Sequence, residues 1–132
     1  AMKRLLRITI LVLTCLLLAL AAAGCGGEEA SDEPPPPAAQ AAFDHVRAGY
    51  GSEDAAVFTQ DFAEIMFTDR TAEDYLDVVS QLKTALGAWG DEATYLGAED
   101  GAHSWRVRFE KGTPRVVIVL DEEEKVSGLW FR

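Results

Sequence analysis

The chain predicts an α+β domain in which two to three N-terminal helices pack on a four-stranded antiparallel meander. Three observations carry that prediction. Apolar residues recur at helical spacing up to about residue 86, and after Gly90 the period falls to two. The later apolar runs are joined by short links carrying Gly, Pro or charge. Helices first and strands after give a sheet with one face covered by helices.

The elements follow in order. Ala39, Ala42, Phe43 and Val46 fall at helical spacing after four consecutive prolines, and Gly49 is placed to end that helix. Ser52 can cap a short second helix carrying Val57 and Phe58, and Thr59 can restart it toward Phe62, Ile65 and Met66. Thr71 and Asp74 stand at capping-box spacing, and Tyr75, Val79, Leu82 and Leu86 then recur on one helical face until Gly87. Beyond Gly90, Thr94, Tyr95 and Leu96 predict a short strand. Trp105, Val107 and Phe109 alternate with polar neighbours, residues 115–120 are β-branched and continuous, and residues 126–131 close the sheet. The links at 98–102, 111–114 and 121–125 have hairpin lengths.

At 132 residues the chain holds one domain at most, and it carries 12 Lys and Arg against 22 Asp and Glu, a formal net charge of −10. Nucleic-acid affinity comes mainly from cations that displace counterions from phosphates, so a DNA or RNA partner is excluded. Two cysteines make no disulfide framework.

The first 24 residues read as a targeting signal. Lys3, Arg4 and Arg7 precede a 16-residue apolar run at 8–23, which ends in Ala22-Ala23-Gly24-Cys25. A spanning helix wants about 20 apolar residues, so this run is short for that task. Small residues directly before a cysteine resemble the cleavage site of a bacterial lipoprotein signal. That resemblance implies cleavage between Gly24 and Cys25, diacylglycerol on the Cys25 sulfur and an acyl chain such as palmitate on the new amino terminus. The protein would then be anchored by lipid in the cell membrane or outer membrane, facing the extracytoplasmic side. After Cys25, residues 26–39 are Gly, Glu, Asp, Ser, Ala and Pro, which predicts that 25–39 form a lipidated, acidic, proline-stiffened tether. Residues 40–132, 93 in all with a net charge of −9, make the domain.

Within that domain, the helix holding Phe43, the Ala-rich helix after it, the third helix ending in Leu86-Gly87-Ala88-Trp89, and the last hairpin across Val117 to Leu129 resemble the cystatin-like, nuclear transport factor 2-like superfamily. The likeness is to a small, uncharacterised extracytoplasmic branch of it. The superfamily holds isomerases, dehydratases and many binding or accessory domains, and its larger members have extra strands that deepen a conical pocket.

No residue pattern here selects a catalytic site. His45 and His103 lack the HExxH or Cys partners that metal binding or nucleophilic catalysis requires, so no metal and no cofactor are expected. A proton-shuttling site would have to be assembled across the fold, from Asp61, Asp77 or His103 with Tyr75. The run Asp121 to Glu124 reads as a solvated turn rather than a calcium loop. Tyr75, Trp89, Trp105 and Trp130 are the candidate lining of a pocket between the 71–86 helix and the sheet. Strand alternation groups Trp130 with Val126 and Gly128, and Leu129 with Phe131. Arg106, Arg108 and Arg115 then stand on the outer side of the sheet with Leu129 and Phe131, as a candidate binding surface. The leading expectation is a non-enzymatic domain binding an envelope protein or an apolar small molecule. The alternative is a small isomerase or hydratase using the pocket.

Overall fold

The computed structural model describes residues 29–132, so the signal-like segment, Gly24 and Cys25 lie outside the described residues. Three helices, α1 (Pro37–Ser52), α2 (Ala55–Phe58) and α3 (Ala72–Leu86), are followed by strands β1 (Trp89–Glu99), β2 (Ala102–Phe109), β3 (Arg115–Leu120) and β4 (Val126–Phe131). A 3₁₀ turn, Glu64–Phe67, lies between α2 and α3. The strands form one antiparallel sheet in the order β1-β2-β3-β4, with the helices packed on it.

Pro37 opens α1, where its missing N–H would have no helical partner anyway. The helix buries Ala39, Ala42, Phe43, Val46, Gly49 and Tyr50 and runs through Gly49, to be closed by Glu53 in the left-handed region at φ 55°. Gly49 is retained inside the helix because a Cβ there would stand 2.4 Å from the Phe58 backbone of α2. The cap of α2 is Asp54, whose carboxylate accepts from the Val57 N–H at 3.2 Å, in place of the predicted Ser52. Helix α3 starts as the sequence predicts: the Asp74 N–H donates to Thr71 Oγ1 at 3.3 Å and the Thr71 N–H to Asp74 Oδ2 at 2.7 Å. It buries Tyr75 and Val79.

The α-helix predicted to restart at Thr59 toward Phe62, Ile65 and Met66 divides instead, with Phe62 in a strand-like bridge and Ile65 and Met66 in the 3₁₀ turn. Phe62 forms a parallel bridge with Val126, through Val126 N–H to Asp61 C=O at 2.7 Å and Ala63 N–H to Val126 C=O at 2.8 Å. That bridge covers the sheet edge at the start of β4.

β1 is 11 residues long rather than the short strand predicted, because register shifts between Trp89 and Ala93 and between Tyr95 and Gly97 interrupt its period of two. It joins β2 through Asp100-Gly101, both at positive φ (50° and 80°), the backbone of a tight two-residue hairpin. The inner face of β2 is His103, Trp105, Val107 and Phe109, all buried. Val116 and Ile118 of β3 extend it, and both are fully buried.

The β3–β4 turn holds the acidic run. Asp121 Oδ1 accepts from the Glu123 and Lys125 N–H groups, each at 2.9 Å, and Glu124 occupies the left-handed region at φ 61°. A side chain is costly there, so Glu124→Gly is expected to stabilise the domain by about 0.5–1 kcal/mol, net of glycine's looser unfolded state. Thermal unfolding checks this, and a lowered midpoint would contradict it.

Residues 31–36, predicted as part of a free tether, lie along β1. The Ser31 N–H donates to the Tyr95 carbonyl at 2.9 Å, and Ala39 is wholly buried in α1. The segment packs there through one backbone bond and a few side chains, which composition does not register. Residues 26–30 stand in sequence between Cys25 and Ser31, which gives an extended reach of roughly 20 Å at about 3.4 Å per residue.

Candidate functional site

Between α1 and the sheet, and around Tyr75 of α3, the space is filled by rings. Trp105, 2% exposed, stacks on Phe43 with ring centroids 4.5 Å apart. Trp89 meets Phe43 and Tyr50, both at 5.5 Å, and Phe109 at 4.9 Å, while Tyr75 meets Phe62 edge-on at 5.0 Å. Two phenol hydroxyls are used on the backbone: Tyr50 donates to the Gly87 carbonyl at 2.5 Å and Tyr75 to the Met66 carbonyl. Of the four candidate pocket residues, Tyr75, Trp89 and Trp105 pack this core, and Trp89 with Phe109 also lines an open surface depression of about 460 Å³ beside Gly90 and Arg108. Trp130 is on the other side of the sheet.

That last placement corrects the sequence reading. Val119 pairs with Gly128 while Leu120 pairs with Val126, so Ser127 is an extra residue in β4. The bulge reverses the alternation beyond it. Val126 is fully buried, but Gly128 and Trp130 face outward, and Leu129 and Phe131, grouped above with the outer surface, turn inward against the core. Gly128 makes room for the displaced ring: a Cβ there would stand 2.4 Å from the Trp130 indole.

The outer face is built by register. Trp105 and Val107 point to the helices, so Arg106 and Arg108 point away from them, as predicted. Arg106 pairs with Arg115, and Arg115 exchanges both backbone hydrogen bonds with Arg132, at 2.8 and 2.9 Å. Three arginines therefore stand in a row across β2, β3 and the end of β4. Like charges directly opposite one another on a sheet are unfavourable, which singles this row out from ordinary surface. Arg132 stacks over Trp130, Cζ to ring centroid 5.6 Å, and Trp130 remains 43% exposed. Arg108 lies 3.7 Å from Glu92 of β1.

The two histidines find partners that spacing did not show. His45 Nδ1 lies 2.5 Å from Asp61 Oδ2, both about one-third exposed, tying α1 to the segment that bridges β4. His103 Nδ1 lies 2.9 Å from the Tyr95 hydroxyl, not near Tyr75. These two residues, with Ser31, Asp32, Glu33, Pro34 and the adjoining edge of β1, line an open groove of about 480 Å³. Burial lowers the His103 pKa below the usual imidazole value, and burial followed by the Glu33 charge raises that of Tyr95. The neutral ring accepts from the phenol when its proton is on Nε2.

The sign of the pH effect follows. Because the folded pKa of His103 is depressed, the unfolded chain binds more protons just below its own value of about 6.5. The contribution of His103 to stability is complete above that pH and is lost as the medium is acidified, by at most about 1.4 kcal/mol per pH unit for one proton. Denaturant titrations at descending pH should show a shallower loss in His103→Gln than in wild type. Parallel slopes would contradict the assignment.

Among the described residues no group of three or more His, Cys, Asp or Glu side chains is placed to hold a metal ion. No helix among them is long and apolar enough to cross a membrane. Asp77 is on the exposed side of α3 and meets none of the other candidate shuttle residues. The remaining exposed apolar residues are Ile65, 67% exposed, and Phe67, 37% exposed, on the 3₁₀ turn. Compared with known proteins, the chain matches no family model, no curated protein and no solved structure.

Proposed function

We propose that the chain is a bacterial lipoprotein, anchored through Cys25 in the cell membrane or outer membrane, whose extracytoplasmic domain binds an envelope protein through the outer face of its sheet. The observation that carries this reading is the contrast between the two faces. The inner face is packed solid with aromatic rings, where an isomerase or hydratase would need an enclosed cavity with converging polar groups. The outer face presents Trp130, half exposed, beside a row of arginines, the residue types that dominate binding energy at protein interfaces.

The order of helices before a four-stranded meander is compatible with a cystatin-like, nuclear transport factor 2-like ancestry, which we keep as part of the proposal. The acidic domain argues against nucleic acid as partner, and the filled interior argues for a protein over an apolar small molecule.

The anchor is tested by intact mass of the membrane-extracted protein and by detergent phase partition. The reading expects a mature chain beginning at Cys25 with acyl mass added, and a Cys25→Ser variant that moves to the aqueous phase. A variant still in the detergent phase would sink the lipid anchor.

A further inference from the structure

The sheet has two edges, and they are treated differently. At β1, Ser31 occupies the Tyr95 carbonyl, and two register shifts break the outline of the strand. At β4, the Phe62 bridge satisfies Val126. The reciprocal pair of backbone hydrogen bonds between Arg115 and Arg132 fixes which backbone groups of β4 remain. Residues 128, 130 and 132 bond to β3, so the N–H and C=O groups of Leu129 and Phe131 point away from it. Among the described residues no backbone partner takes them. Natural sheets usually blunt such an edge, and open edges serve as templates for an added strand.

We infer that the β4 edge at Leu129 and Phe131 is a docking site for an extended polypeptide segment of alternating acidic and apolar residues, supplied by the partner protein. This rests on reading the domain as a protein-binding module and names the chemistry of what it binds. A strand added here extends both faces of the sheet. On the inner side its side chains continue the apolar surface of Leu129 and Phe131. On the outer side they stand beside Trp130 and Arg132, where the row from Arg106 through Arg115 ends. Opposite charges on neighbouring strands attract, so a carboxylate is the side chain that fits beside Arg132, and a basic one is repelled. Lone backbone pairing would be indifferent to sequence; Arg132 and Trp130 give it a preference.

The test uses the full chain, isotope-labelled in detergent micelles, with two blocked hexapeptides as probes, one alternating Glu with Val and one alternating Lys with Val. The inference expects the acidic peptide at millimolar concentration to slow amide exchange at Leu129 and Phe131 at least threefold, and the basic peptide to leave it unchanged. Arg132→Glu should remove the effect of the acidic peptide, and Trp130→Ser should weaken it while leaving the fold intact by its amide spectrum. Equal slowing by both peptides, or slowing by neither, would overturn the inference. Protection that appears without peptide and grows with protein concentration would assign the edge to a second copy of this chain and overturn it equally. An unmodified Cys25 would refute the anchor while leaving these exchange results standing, so the two failures are distinguishable.

Discussion

Replacing Trp105 with Ala is expected to destabilise the domain by about 3–5 kcal/mol, the usual loss when a large buried aromatic is truncated. Trp105 is 2% exposed, stacks on Phe43 at 4.5 Å and meets Tyr95 at 5.2 Å, so its removal opens a void bounded by α1 and β1 together. Neither neighbour can collapse into it freely: Phe43 is fixed within α1, and Tyr95 is held by His103. Domains of this size are stable by only ~5–15 kcal/mol, so the variant would be marginal near body temperature. Denaturant unfolding, with the midpoint falling at unchanged slope, is the appropriate readout. A loss under about 1 kcal/mol would mean that the ring does not fill the interior. The pocket that an enzyme needs would then return to consideration.

Gly49→Ala should also be strongly destabilising, against the ordinary rule. In an exposed helix interior that change gains about 1 kcal/mol. Here the new Cβ would stand 2.4 Å from the Phe58 Cα and N, which are backbone atoms and cannot swing aside. α1 and α2 would have to separate, disturbing Phe58 and the ring pairs it makes with Phe62 and Tyr75. Overpacking costs typically ~1–3 kcal/mol and more where backbone must move, so a net loss of about 3 kcal/mol is expected. A raised melting temperature would contradict the helix contact.

Both variants probe what the sequence carried legibly. The capping box at Thr71 and Asp74, the apolar stripe through Tyr75 and Val79, and Gly87 delimit α3 because each is a local signal with a local cause. The Asp100-Gly101 hairpin is similarly local. The candidate site was harder to read because bulges decide which way its side chains point. Counting back from Asp100-Gly101 in a regular ladder sets Tyr95 opposite Arg106. The extra residue at Leu96 instead sets it opposite Trp105, within reach of His103. Gly97, at φ 103°, is the signal in the sequence that could have marked this break. At β4 the extra residue is Ser127, with no glycine of its own at the bulge, and it moved Trp130 outward and Leu129 and Phe131 inward. The strap at 31–36 left no trace in periodicity because its one backbone bond can be made by almost any residue.

Arg106 and Arg108 face outward as alternation implies, because burial alternates along β2 from Ala102 to Phe109, and Arg115 of β3 shares their face by pairing with Arg106. Arg132 was missed because its place in the row comes from its backbone pairing with Arg115, a long-range contact.

The proposed function places binding on the outer face of the sheet and not in the interior or on the helices. Photo-crosslinking in intact cells tests it directly, with the full chain carrying the photoreactive residue at position 130 or, as a control, at the exposed helix position 77. The account predicts a discrete adduct with an envelope protein from position 130 and none from position 77. Adducts from position 77 alone would contradict it.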